Sequence, residues 1–154
     1  MNIDAKIIAE KLNELVAKNS DAEKGFKRAA ELSEAKPLAN WFATQAKNRA
    51  SYKEELAAEI HALGYACVRT PSLTGDFHRA WMHLKAIFSA DNDDAMLEEA
   101  IRGEKAALNE YNEVIAEENL PSSTGELLKL HRTKIAHSLA TLQTMIDMES
   151  REES

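Results

Sequence analysis

Proline occurs at only three positions, Pro37, Pro71 and Pro121, and each falls between long stretches rich in Ala, Glu, Lys and Leu. A proline inside a helix removes a backbone hydrogen bond and clashes with the preceding turn, whereas Ala, Leu, Glu and Lys are among the best helix formers. The chain is therefore free to form helices everywhere except at three breaks. Only five glycines accompany them, and no segment alternates β-branched and polar residues as a half-buried strand would. The fold class that follows is all-α.

Apolar residues at spacings of three and four define the buried faces. The first helix is expected over about 4–34, starting at Asp4 as N-cap, with Ile8, Leu12, Leu15, Ala22, Phe26, Ala29 and Ala30 on its stripe. Gly25 interrupts it at a cost of about 1 kcal/mol relative to alanine, but the stripe continues through it in phase. The second helix, about 37–63, ends at Gly64 and shows Leu38, Phe42, Gln45, Arg49, Tyr52, Leu56, Ile60 and Leu63. Another, about 94–119, carries Leu97, Ile101, Glu104, Leu108, Tyr111 and Ile115. The last, about 123–148, follows N-cap choices at Ser122, Ser123 and Thr124 and carries Leu128, His131, Ile135, Leu139, Leu142 and Ile146. The acidic end, Glu149 to Ser154, is expected to fray.

Short links after the first and third long helices make each pair an antiparallel hairpin. Between the hairpins lie residues 64–93, too many for a turn, and within them a short helix is expected over 76–89. Its Phe77, Trp81, Leu84 and Phe88 form one apolar face, which either packs on the bundle or joins a second copy of the chain as a homo-oligomer contact. Hairpin, long crossover, hairpin is the ferritin-like arrangement of a four-helix bundle. At 154 residues the whole chain is one domain.

Charge and composition exclude several roles. A net charge of −7 is the wrong sign for a nucleic-acid binder or for docking on anionic membranes. No apolar run reaches the roughly 20 residues that span a bilayer, and Met1 to Glu14 mixes charges into its apolar residues, unlike a signal peptide. The lone cysteine, Cys67, excludes an internal disulfide and a cysteine-cluster metal site, so a cytoplasmic location is expected.

The segments Asp21-Ala22-Glu23-Lys24-Gly25-Phe26, Phe77-His78-Arg79-Ala80-Trp81-Met82-His83-Leu84-Lys85 and Arg102-Gly103-Glu104 resemble a bacterial ferritin-like family described as a domain of unknown function. The resemblance extends over nearly the whole chain and implies a four-helix bundle with a crossover helix. It implies no activity. It also favours His137 as the histidine of the last helix.

Chemistry centres on Glu104, which falls in the middle of an apolar stripe. An ionised carboxylate there must be paired, hydrogen-bonded or metal-bound. A ferritin-like di-metal centre needs one Glu from each of two helices and a Glu-x-x-His from each of the other two. Glu23 and Glu104 supply the lone glutamates, and their hairpins share a weak repeat around Glu23-Lys24 and Glu104-Lys105. Both Glu-x-x-His motifs are missing: Arg49-x-x-Tyr52 and Lys134-x-x-His137 stand in their places, so a complete di-iron site is not expected. Two readings stay open. In one, a single Fe, Mn or Zn ion is held by Glu23, Glu104 and either His131, which lies on the stripe, or His137, which lies on a polar face. In the other, Arg49 pairs with a glutamate in a network extended by Tyr52, Tyr111 or Gln45, and the chain is a structural helical module. A binding or structural role is expected over an enzymatic one.

Overall fold

The computed structural model describes residues 3–68 and 93–152. These form four helices, α1 (Ile3–Leu32), α2 (Lys36–Ala62), α3 (Asp93–Ile115) and α4 (Ser122–Glu152). The expected crossover helix over 76–89, with Phe77, Trp81, Leu84 and Phe88, lies outside the described residues.

Each hairpin closes as the local chemistry requires. Pro37 stands in the first turn of α2, where its missing N–H costs nothing. The Asp93 carboxylate at the head of α3 accepts hydrogen bonds from the Glu34 and Ala35 amides, tying the first turn to the second hairpin. Gly64 ends α2 at φ 88°, a left-handed conformation that glycine adopts without strain. Asn119 takes the equivalent conformation at φ 64° between α3 and α4, and its amide donates to Asp4 on α1.

Several ends differ from the periodicity. Because α1 begins at Ile3, Asp4 lies in its first turn rather than at its cap. Expected to reach residue 119, α3 stops at Ile115. The acidic end does not fray at Glu149; α4 continues to Glu152. Thr124 and Ser123 do not act as caps, since both hydroxyls donate to Glu59 and fasten α4 to α2.

Side-to-side packing pairs α1 with α2 and α3 with α4, and the two hairpins face each other as α1 on α3 and α2 on α4. Ion pairs Lys11–Glu117 and Lys18–Glu110 run α1 antiparallel to α3. Contacts from Glu59 to Thr124 and from Glu55 to His131 do the same for α2 and α4. It follows that α2 and α3 are parallel and lie across the diagonal. The chain must return the length of the bundle between them, which is the ferritin-like connection.

The apolar core is divided. One cluster holds Ile8, Leu12, Leu15, Leu56, Ile60, Leu128 and Ile135. The other holds Phe26, Leu38, Phe42, Met96, Leu97 and Leu142, with Trp41 edge-on to Phe26 at 6.2 Å. Burying each large side chain contributes about 1.5–3 kcal/mol. Between the clusters, every helix sends a polar side chain inward.

Candidate functional site

Asn19, Arg49, Glu104 and His131 are each at most 2% exposed, and they come from α1, α2, α3 and α4 respectively. Groups so buried persist only if their hydrogen-bonding capacity is met. Here it is met largely by one another. The Arg49 guanidinium bonds to Glu104 Oε1 through one nitrogen and to Asn19 Oδ1 at 2.7 Å through another. The Asn19 amide nitrogen donates to the Tyr111 hydroxyl at 3.0 Å and to the Leu15 carbonyl at 2.9 Å. Tyr111 meets His131 Nδ1 at 2.9 Å, and His131 Nε2 faces Glu55 at 3.3 Å.

Directions follow from which groups can donate. An ionised Glu55 only accepts, so His131 carries its hydrogen on Nε2 and leaves Nδ1 as an acceptor. Tyr111 then donates to Nδ1 and receives from Asn19, which receives from Arg49. The donors run one way, from a cation in the bundle centre to an anion at its surface, and each bond polarises the next. Tyr52 stacks on the imidazole at a centroid distance of 4.3 Å and closes the other face of His131.

Burial sets the titration of these groups. It lowers the His131 pKa below 6.5, an effect that Glu55 opposes and that Lys134 and Arg49 reinforce. Burial also pushes the Tyr111 phenol well above its ordinary 10, partly countered by the Asn19 hydrogen bond. Tyr111, His131 and Glu55 stand in the order of a nucleophile, base and acid. Tyr111 is only 1% exposed, so its hydroxyl is closed off from solvent.

The expected metal ligands do not converge. Glu104 Oε1 is occupied by Arg49, and both ring nitrogens of His131 are engaged. Glu23 sits apart, bound by Lys53 at 2.5 Å and Lys27 at 3.0 Å. Burial works to raise its pKa, but the hydrogen bonds and positive charges of Lys53 and Lys27 together outweigh it and hold the carboxyl below the ordinary range. His137 is exposed; His131 is the inward histidine of α4. Among the described residues no three His, Cys, Asp or Glu side chains come together to hold a metal ion. The donor set does not fit such an ion, because a permanent cation already neutralises the central carboxylate.

Of the expected polar network, Arg49 and Tyr111 belong to the chain and Tyr52 flanks it. Gln45 does not join. Ala46 takes the buried position beside it, and Gln45 accepts only a 3.4 Å contact from Asn48. Sequence reasoning missed Asn19 and Glu55. Asn19 was signalled by the break in the α1 stripe between Leu15 and Ala22, where it stands seven residues before Phe26 on the same face. Glu55, on the rim of α2, gave no such signal.

A family model described as "Domain of unknown function (DUF2383)" matches residues 7–117. The chain belongs to the DUF2383 family. The match spans α1 to α3 and so includes Asn19, Arg49, Glu104 and Tyr111 of this DUF2383 chain, while His131 lies beyond it. No curated protein matches the sequence. Among solved structures, the fold is similar to Rhodobacter capsulatus bacterioferritin at 19% identity and a TM-score of 0.78, covering 98% of this chain and 89% of that one. A bacterioferritin-related dodecameric thioferritin from Bacteroides fragilis matches at 16% identity and a TM-score of 0.77, covering 97% and 89%. A single-site mutant of Dps1 from Mycobacterium smegmatis matches at 14% identity and a TM-score of 0.74, covering 95% and 99%. At these identities the likeness establishes the ferritin-like fold of the DUF2383 chain and nothing about its chemistry.

Proposed function

We propose that this chain is a non-catalytic helical module of the cytoplasm, a ferritin-like bundle whose centre is fixed by an ion pair and a hydrogen-bond chain instead of a metal. The observation that carries this reading is the Arg49 guanidinium bonding at once to Asn19 on α1 and Glu104 on α3. A carboxylate so neutralised has little to offer a metal, while the geometry fixes how the four helices align. The protein's further part in this reading is self-association. The Bacteroides fragilis protein of like fold is described as dodecameric, and the helical spacing of Phe77, Trp81, Leu84 and Phe88 in the sequence suits an apolar contact of this kind.

Metal analysis of the purified protein, followed by titration with Fe(II), Mn(II) and Zn(II), tests the central claim. The expected result is folded protein without stoichiometric metal. Near-stoichiometric metal that disappears in Glu104→Ala would overturn it. Light scattering on the Trp81→Glu variant tests the second claim: the parent is expected to be oligomeric and the variant smaller, and a monomeric parent removes the assembly role.

A further inference from the structure

Two of the buried polar atoms, Glu104 Oε2 of the ion pair and Ser138 Oγ, have no hydrogen-bond partner among the described residues. Glu104 is 2% exposed and Ser138 4% exposed. Their relation follows from the hairpin. Tyr111 on α3 faces His131 on α4 at 2.9 Å. Glu104 lies seven residues before Tyr111, and Ser138 lies seven after His131. Seven residues are two helical turns with a drift of only about 20°, and the helices are antiparallel. Glu104 and Ser138 therefore repeat the facing of Tyr111 and His131 one heptad further from the α3–α4 turn. In that layer a phenol meets an imidazole across the hairpin; in this one a carboxylate faces a hydroxymethyl group, a smaller pair across neighbouring helices.

A carboxylate oxygen without a donor in the interior bears its full desolvation penalty, and such groups in folded proteins are met by ordered water. We propose that Glu104 Oε2 and Ser138 Oγ form a binding site for one small uncharged hydrogen-bond donor, a water molecule, between α3 and α4. The guest donates one hydrogen to Glu104 Oε2 and accepts the hydroxyl hydrogen of Ser138. Charge selects the guest. Arg49 already balances Glu104, so a metal or ammonium ion would add an uncompensated positive charge to the interior. The inference rests on the metal-free reading of the centre and adds the ligand that completes it.

A high-resolution crystal structure of the full chain, with and without a thallium(I) soak, tests the site. A single density peak within hydrogen-bond distance of both Glu104 Oε2 and Ser138 Oγ, without anomalous signal after the soak, is expected. Ser138→Thr keeps that peak, whereas Ser138→Val loses it with the Arg49–Glu104 pair in place. A direct hydrogen bond between the two side chains, no density between them, or a thallium peak there overturns the guest site while leaving the ion pair intact. A transition metal bound to Glu104, with Arg49 turned away, overturns the metal-free centre itself.

Discussion

Arg49 on α2 and Glu104 on α3 meet across the diagonal of the bundle, each side chain only 3% exposed. Their helices are not neighbours, so this pair joins the two hairpins through the centre instead of along a seam. Ionic groups at such depth contribute more to which arrangement forms than to how stable it is.

Removing one partner strands the other charge. Arg49→Met is expected to destabilise the protein by about 3–5 kcal/mol, and Glu104→Leu by a similar amount. The double variant, which buries no ion, recovers most of that loss. Urea denaturation of the four proteins measures the coupling. Additive single effects would show that the pair is not coupled in solution.

Asn19 links the ion pair to Tyr111, so its loss leaves a donor unmatched on Arg49 and an acceptor unmatched on Tyr111. Asn19→Ala is expected to cost about 1–3 kcal/mol. Combined with Tyr111→Phe, it should cost less than the sum of the two, because the second change removes a bond the first has already broken. A strictly additive pair would sever the two ends of the chain.

His131 makes stability fall in acid. Burial holds its folded pKa below 6.5, so the unfolded chain takes up the proton more readily. Its contribution is full above pH 6.5 and is lost as the pH falls from there through the folded pKa. Protonation at Nδ1 also sets a donor against the Tyr111 hydroxyl and opposes the direction of the chain. His131→Gln is expected to flatten the stability profile between about pH 7 and 5, and an unchanged slope in that variant would refute this.

Asp21 acts in the opposite sense. Burial raises its pKa from 3.8 to about 6, with Glu110 adding to the shift and Lys18 and Lys24 reducing it. The folded state therefore holds this proton more tightly, and stability rises from this group as the pH falls from about 6 to 3.8. Asp21→Asn should stabilise the protein at pH 7 by about 1 kcal/mol, a figure discounted for the solvent that still reaches this partly buried group. The gain should vanish near pH 4, as thermal unfolding at the two pH values would reveal; a constant gain would place the effect elsewhere.

Local rules carried most of the fold. Proline placement, helix-forming composition and three-four spacing determined the four long helices and the long crossover, because these depend on backbone sterics and on which face of a helix shuns water. The same periodicity exposed Glu104, Arg49 and His131 as polar groups on apolar faces, and it placed His137 on a polar one. It could not say which partner each buried group would find. At several turns two adjacent residues competed for the inward position, and only packing against neighbouring helices chose Ala46 over Gln45 and Ser138 over Leu139. Whether Glu104 faced Glu23, a histidine or an arginine depended on helix rotation and on the diagonal of the bundle, distances between residues far apart in the chain. That geometry gave Glu104 to Arg49, left Glu23 with two lysines at the rim, joined Asn19 to partners that the gap in its stripe could not name, and brought in Glu55, which no local pattern announces.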